Sequence, residues 1–143
     1  MRKKKKVDGD KPKKPKKKSP YNQNSAVRSA LRRAFSRSPV VREVLMEGRR
    51  EIPKYNKDGN RAKRDAVQYL CHVCGEWVGS TKVNVDHIDP VVDPNVCFVD
   101  WNTFIDRLWC DKSNLQRICL SCHNVKCNLE KELRKQTKQK KDK

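Results

Sequence analysis

Two pairs of cysteines constrain this chain more than any other feature of its sequence. Each pair has the spacing Cys-x2-Cys, Cys71 with Cys74 and Cys119 with Cys122, and 44 residues separate the pairs. Four thiolates in this arrangement typically bind one tetrahedral structural zinc ion, although the usual intervening segment is only ~15–20 residues long. We therefore predict a zinc-stabilised module that carries a large insertion between the two halves of its metal site and depends on the metal for folding.

The N-terminus and the remaining cysteines indicate the cellular compartment. The chain begins Met-Arg-Lys-Lys-Lys-Lys with no apolar stretch behind it, so no secretory signal is expected, and no apolar run approaches the ~18–20 residues of a membrane span. Seven cysteines in an unexported chain favour reduced thiols and metal binding over disulfides. We expect a cytoplasmic protein in which the three left-over cysteines are small buried hydrophobes, Cys97, Cys110 and Cys127.

The charge is distributed unevenly along the chain. Lysine and arginine number 35 against 17 acidic residues, which gives a formal net charge of +18. Residues 1–18, 19–66, 67–129 and 130–143 carry net charges of +9, +7, −2 and +4. Cations that neutralise phosphates release counterions, so the three basic flanks favour a nucleic-acid partner over a solubilising or membrane-surface role. Hydrophobic residues make up only 35% of the chain, below the typical ~45–50%, so we expect the folded core to be shorter than the sequence.

Four segments follow from this distribution. Residues 1–20 are a Lys/Pro tract that we expect to be a disordered basic arm, because like charges repel and proline blocks helix formation. Residues 21–66 are a basic helical leader and loop, and residues 67–130 are the zinc-stabilised module. Residues 131–143 are the basic end of a C-terminal helix and its tail.

Two short helices are predicted in the leader. The first starts at Ser25 and has apolar residues at helical spacing. Its other faces carry three arginines, Arg28, Arg32 and Arg33. The second helix starts at Ser38-Pro39 and ends at Gly48, and residues 53–66 form a basic loop with a turn. These helices pack on the module, contact the DNA backbone through their arginines, or do both.

The module contains fewer clear signals. Alternation predicts a strand at residues 82–86, and an apolar stripe predicts a helix at residues 99–109 with Asp100 as its cap. A final helix is predicted from about residue 123 to residue 136. Two tryptophans of the stripe are interpreted as core residues, Trp101 and Trp109.

A second set of residues carries the functional groups that phosphodiester hydrolysis requires. Asp86 and His87 lie in the insertion. His123 directly follows the second cysteine pair, and Asn114 stands nine residues before it. Hydrolysis needs a base to activate water, a cation to stabilise charge on the phosphate, and a group that aims the base. Aspartate and histidine can bind a divalent cation, a second histidine suits the base, and a carboxamide can hold an imidazole tautomer.

The order and spacing of these residues resemble the HNH endonuclease motif. The resemblance rests on Asp86-His87-Ile88-x-Pro90, followed by Asn114-Leu115-Gln116-x-x-Cys119-x-x-Cys122-His123-x-x-Lys126. The preceding Cys-x2-Cys and the basic leader are similar to those of small HNH nucleases encoded by bacteriophages, and the motif-bearing part covers about residues 67–130. The resemblance implies an α+β protein with a treble-clef-like ββα-metal fold, in which a β-hairpin and a helix enclose one divalent ion.

The resemblance also implies a role for each residue of the motif. Asp86 would be a ligand of the catalytic cation, and His87 would be the general base that takes a proton from water. Asn114 would orient His87 or stabilise the loop, and His123 would be the second metal ligand. The structural zinc would be bound by the four paired cysteines, Cys71, Cys74, Cys119 and Cys122.

One position departs from the family pattern. Colicin-type relatives place a further histidine four residues after the last one, and this chain has Cys127 there, on the same helical face as His123. The cation would be Mg²⁺ or another divalent ion such as Mn²⁺. It would be held by two protein ligands, water and phosphate, or Cys127 would add a soft ligand.

The function that follows is hydrolysis of DNA phosphodiester bonds by a one-metal mechanism, with backbone contacts from the basic flanks. Two alternatives remain open, a non-catalytic zinc module that binds nucleic acid and a ribonuclease that uses the same site. A pure zinc module has no use for Asp86, His87 and Asn114 at these positions, which favours the enzyme. Further partners would be a second copy of the chain or a phage packaging or recombination protein, and the location would be the host cytoplasm if the chain is phage-encoded.

Overall fold

A computed structural model describes residues 20–141 of the chain. Its helices and strands are, in chain order, α1 (Gln23–Phe35), α2 (Pro39–Glu47), β1 (Arg49–Ile52), β2 (Ala66–Leu70), β3 (Trp77–Gly79), β4 (Val83–His87), α3 (Trp101–Leu108), β5 (Leu115–Cys119) and α4 (Leu120–Lys141). Helices and antiparallel strands occur together, which confirms the predicted α+β class at this coarse level. The expected disordered arm lies outside the described residues except for Pro20, as do the last two residues of the expected tail.

Helices α1, α2 and α3 form close to the predicted positions, although α1 starts two residues before Ser25 and the predicted cap Ser38 makes no capping hydrogen bond with its side chain. Asn22 caps α1 by accepting a hydrogen bond from the backbone N–H of Ser25 at 2.9 Å. Asp100 caps α3 in the same way, accepting from the backbone N–H of Thr103 at 2.9 Å. Helix α4 begins at Leu120, three residues before the predicted start, and continues to the end of the described chain. None of the helices within residues 20–141 has an apolar stretch that could cross a membrane.

The short strands β1 and β3 have no clear signal in the sequence. Strand β1 reads Arg-Arg-Glu-Ile and shows no alternation of polar and apolar residues. It lies at one edge of an antiparallel sheet with the order β1-β2-β3, and it exists because β2 pairs with it from Arg49↔Tyr69 to Ile52↔Ala66. Pairing across a sheet therefore selects this edge strand, where the local sequence alone does not.

A second antiparallel pair, β4 with β5, positions the functional groups. The register places His87 opposite Leu115 and Val83 opposite Cys119. With a rise of about 3.3 Å per residue, the two ends of this pair lie roughly 13 Å apart. One end therefore carries the motif residues Asp86 and His87, and the other end carries a cysteine of the predicted zinc site.

The main hydrophobic core joins the leader helices to the later elements. It consists of seven buried residues, Phe35, Val41, Val44, Val91, Phe104, Leu108 and Leu115. The predicted packing of both leader helices on the rest of the chain is therefore confirmed. Trp101 packs partly buried against this core, but the prediction that Trp109 is a core residue is wrong, since it is 44% exposed. Helix α3 ends at Leu108, so Trp109 leaves the apolar stripe, and its ring lies edge-on to the ring of Phe35, with 5.8 Å between centroids.

Candidate active site and metal centre

The four paired cysteines come together in space. The four sulfur atoms all lie within 4.8 Å of one another, those of Cys71, Cys74, Cys119 and Cys122. The sulfurs of Cys74 and Cys119 are 3.8 Å apart, which equals the edge of a tetrahedron built with zinc–sulfur bonds of about 2.3 Å, or about 3.8 Å. The donor set and its dimensions therefore fit a zinc ion.

Backbone geometry holds these sulfurs in place. The chain turns sharply after the first pair, with Gly75 at a φ of 73° and its N–H donating to the carbonyl of Cys71 at 3.0 Å. The N–H of Cys119 donates to the sulfur of Cys71 at 3.3 Å. Such amide donors stabilise thiolates, the form of cysteine that binds zinc.

The pKa values of two of these cysteines also fit a bound cation. Hydrogen bonds from the Ser121 hydroxyl and then the Cys122 amide lower the pKa of Cys119 to about 6. The adjacent Cys119 sulfur in turn raises the pKa of Cys122 to about 12. A divalent cation among the sulfurs would offset their mutual repulsion and allow all four to ionise.

A cleft of about 540 Å³ lies beside the β4–β5 pair. Three of the four predicted catalytic residues line it, Asp86, His87 and His123. Further lining residues come from both ends of the described chain, among them Arg32 of α1 and Lys126, Glu130 and Arg134 of α4. The cleft therefore combines motif residues, Lys126 among them, with two arginines that the motif does not contain, Arg32 and Arg134.

Asp86 faces the first two turns of α4. One of its carboxylate oxygens lies 3.8 Å from Nε2 of His123, and the other accepts a hydrogen bond from Nζ of Lys126 at 2.6 Å. Two ligands that share a cation at about 2.1 Å lie within roughly 4 Å of each other, so the Asp86–His123 pair fits a divalent cation. Lys126 also donates to the carbonyl oxygen of His87, which makes it a link between α4 and the end of β4.

His87 is half-buried, and its orientation is set by a backbone group. Its Nε2 lies 2.9 Å from the carbonyl oxygen of Leu108. Since a carbonyl only accepts, Nε2 carries the proton and Nδ1 keeps its lone pair. The ring of Phe35 lies against the imidazole, at 5.1 Å between centroids. Burial lowers the pKa of His87 more than the Leu108 hydrogen bond raises it, which favours the neutral ring.

Asn114 lies outside the cleft and binds the loop that follows His87. Its Oδ1 accepts from the backbone N–H of Asp89 at 2.8 Å, and its backbone carbonyl accepts from the N–H of Ile88 at 2.8 Å. Of the two roles expected for Asn114, these contacts correspond to the stabilisation of the loop. The orienting contact to His87 is made by Leu108 instead.

Cys127 lines the cleft next to His123. Its sulfur is 3.6 Å from Nε2 of His123. It is only half-buried, as are Cys97 and Cys110, so the expectation that these three cysteines are buried is wrong. In the described part of the chain, the four zinc-type cysteines are the only group of three or more histidine, cysteine or acidic ligands close enough to share an ion.

The sequence reasoning missed four contributors to this site. They are Arg32, the carbonyl of Leu108, Lys126 and Arg134. Lys126 stands in the motif three residues after His123, so its helical spacing offered a signal. From the sequence, Arg32 is expected only to contact the DNA backbone. No local signal places Arg32, Arg134 or the Leu108 carbonyl in this cleft, because they reach it through tertiary packing.

Comparison with known proteins identifies one informative relative. The chain is 38% identical over 81 residues to a protein of Lactococcus phage SK1 named "Probable HNH endonuclease". The aligned region covers 54% of this chain and 78% of that protein. No family model matches the chain. No solved structure matches it either.

Proposed function

Because this chain belongs to the HNH endonuclease family, we propose that it is a metal-dependent endonuclease that hydrolyses phosphodiester bonds in DNA. The observation that carries the proposal is the convergence of Asp86, His87 and His123 on one cleft, in a fold that also brings four cysteines together. His123 stands 36 positions after His87 in the chain, and a metal-binding scaffold without catalysis gives no reason for it to meet Asp86 and His87.

The local architecture supports a ββα-metal arrangement. Strands β4 and β5 form an antiparallel pair, and α4 begins directly after β5. The pair contributes Asp86 and His87, and the helix contributes His123. We propose that residues 67–130 are the nuclease module and that the leader of residues 21–66 supports it, because Phe35 packs against His87.

The proposed base is Nδ1 of His87. The hydrogen bond from Nε2 to Leu108 leaves Nδ1 as the acceptor that can take a proton from a water molecule in the cleft. The resulting hydroxide attacks the phosphorus, a new phosphorus–oxygen bond forms, and the bond to the 3′ oxygen breaks. Solvent water supplies the proton for the leaving oxygen, so the products carry a 5′-phosphate and a 3′-hydroxyl, as the family resemblance implies.

The residues that would hold the catalytic cation are Asp86 and His123. When bound, Mg²⁺ or Mn²⁺ supplies positive charge that stabilises the phosphate and the departing oxygen. Lys126 fixes one oxygen of Asp86 and leaves the other directed at His123. Asn114 holds the loop after His87 through its hydrogen bonds to Ile88 and Asp89.

The test is cleavage of supercoiled plasmid DNA with Mg²⁺ or Mn²⁺, comparing the full chain with the His87→Ala variant. We expect the variant to lose about 10²-fold or more in cleavage rate, which is the usual contribution of a general base. Zinc content and DNA affinity, measured in parallel, should be largely unchanged, because the His87 imidazole contacts the Leu108 carbonyl and the Phe35 ring, and the cations of the cleft remain in the variant.

Other outcomes would contradict the proposal. Cleavage by His87→Ala at the rate of the unmodified chain would show that His87 is not the base. DNA binding without cleavage under either cation would favour a non-catalytic zinc module. Cleavage of RNA alone would indicate a ribonuclease.

A further inference from the structure

We propose that Arg32 of α1 and Arg134 of α4 form a binding site for a backbone phosphate of the DNA strand that enters the cleft. The inference rests on the proposed function and adds a site to it. Both arginines line the same cleft as Asp86 and His87. The site would place part of the leader in direct contact with the substrate beside the scissile bond.

The charge of the cleft favours an anion. Its lining contains four cations and two carboxylates, Arg32, Lys126, Lys131 and Arg134 against Asp86 and Glu130. By contrast, residues 67–129 as a whole carry a net charge of −2. Three of the four cations belong to residues outside 67–129, so the segments on either side of the acidic region make its cleft positive.

Both carboxylates of the cleft already have cationic partners. Nζ of Lys126 lies 2.6 Å from a carboxylate oxygen of Asp86, and the guanidinium of Arg134 lies 2.9 Å from a carboxylate oxygen of Glu130. Lys126 also lies 3.9 Å from Glu130. Within residues 20–141, Arg32 has no carboxylate within ion-pairing distance, so its charge is available to an anion from outside the chain.

Arg32 is held in position without being neutralised. Its guanidinium lies over the ring of Phe104, at 5.7 Å from the centroid, and Arg28 lies over Phe98 in the same way at 5.4 Å. Partial burial, followed by the charges of Arg134 and Arg28, lowers the pKa of Arg32. A phosphate between Arg32 and Arg134 would relieve their repulsion.

The ligand chemistry follows from the side chains. Two guanidinium groups present planar forks of N–H donors, which match the oxygens of a phosphodiester. Nothing in this pair reads a base, so the contact would be independent of DNA sequence. The site would therefore position the strand relative to His87 and would not select a target.

The test compares two double variants of the full chain that each remove two positive charges. The cleft variant is Arg32→Gln with Arg134→Gln. The control is Arg37→Gln with Lys135→Gln, two cations that stand just after α1 and within α4 and do not line the cleft. The ion pair of Lys135 with Glu132 is exposed on both sides, so its loss costs little.

The measurement is affinity for a 20-base-pair duplex across a salt series, without added divalent cation. The slope of log K against log salt concentration is negative, and we expect its magnitude to fall by about 1 in the cleft variant, since each neutralised phosphate contributes roughly 0.9. The control should change by less than half as much. Zinc content and circular dichroism report folding, and Arg32→Gln alone replaces the cleft double if that variant is misfolded.

The outcomes separate this inference from the proposed function. An unchanged slope in the cleft variant, or an equal loss in both doubles, would overturn the phosphate site even if the chain cleaves DNA. A selective loss in the cleft variant supports the site even if no cleavage is seen, in which case only the proposed function fails.

Discussion

Arg117 shows how one side chain connects three parts of this protein. It is 5% exposed, and it is the one charged residue that is buried within residues 20–141. Its guanidinium donates to the carbonyls of Val44 at the end of α2 and Leu70 at the end of β2, and it contacts Nε2 of His72. His72 lies between two of the zinc-type cysteines and matches no catalytic position of the motif. Its contact with Arg117 indicates a structural role, namely to anchor the cysteine loop to the leader.

The same side chain leaves no room for a Cβ at Gly48. A Cβ at Gly48 would collide with the guanidinium of Arg117, whereas the φ of Gly48, −117°, suits any residue. We expect Gly48→Ala to lower the free energy of unfolding by about 1–3 kcal/mol, because Arg117 must give up contacts to make room. The measurement is urea denaturation of the zinc-loaded protein.

Gly79 offers the matched control. A Cβ there meets nothing within 4 Å, and its φ of −67° is open to alanine. Gly79→Ala should leave stability unchanged or raise it by up to about 1 kcal/mol. Equal urea denaturation midpoints for Gly48→Ala and Gly79→Ala would contradict the role assigned to Arg117.

At the scale of elements, the junction between β5 and α4 serves both sites. Cys119 ends β5, and Cys122 and His123 follow in the first turn of α4. Neighbouring residues of a helix point about 100° apart, so Cys122 can face the cysteine cluster while His123 faces Asp86. A cation bound by the cysteines would hold the helix that carries His123.

Replacing one cysteine should therefore remove the metal and the fold together. We expect Cys119→Ser to lose bound zinc and to unfold, because structural zinc contributes about 10–16 kcal/mol in small domains, which is comparable to the whole stability of a typical domain. Zinc content and far-ultraviolet circular dichroism measure the two effects. Cys97→Ser, outside the cluster, should retain both, and a folded, zinc-loaded Cys119→Ser would refute the assignment.

The elements differ in how far their sequences predict them. Helices α1, α2 and α3 follow from local signals, the apolar spacing together with Pro39 or an Asp100 cap. Strand β4 follows from alternation. Strands β1 and β3 do not follow from local signals, because each forms by hydrogen bonding to β2. The end of β1 and the start of β2 are 14 residues apart in the sequence.

At the scale of the whole molecule, the sequence places one mildly acidic segment between basic segments. Residues 67–129 have a net charge of −2, and all three flanks are positive. The leader is also part of the core, since it supplies Phe35, Val41 and Val44. The leader therefore contributes both buried core residues and positive charge. Residues 1–18, by contrast, supply +9 of the net charge of +18 and contain few apolar residues.

This division predicts the effect of removing residues 1–18. The shortened chain should bind DNA more weakly and with a flatter salt dependence, because fewer counterions are released, while its zinc content and circular dichroism stay unchanged. An arm of the same composition in scrambled order should restore the affinity, since the attraction depends on charge alone. A salt slope that is the same with and without the arm would exclude this role.

The sequence by itself determined the zinc-type ligand set, the order of the motif and hence the family, because these depend on residue type and spacing along the chain. Only the tertiary structure decided that the carbonyl of Leu108 meets His87, that Asn114 binds the loop, and that Arg32 lies in the cleft. A backbone carbonyl has no signature in the sequence, and an arginine on a leader helix looks like any other cation until packing places it. Contacts between distant segments depend on strand register and core packing, which arise only when the whole chain has folded.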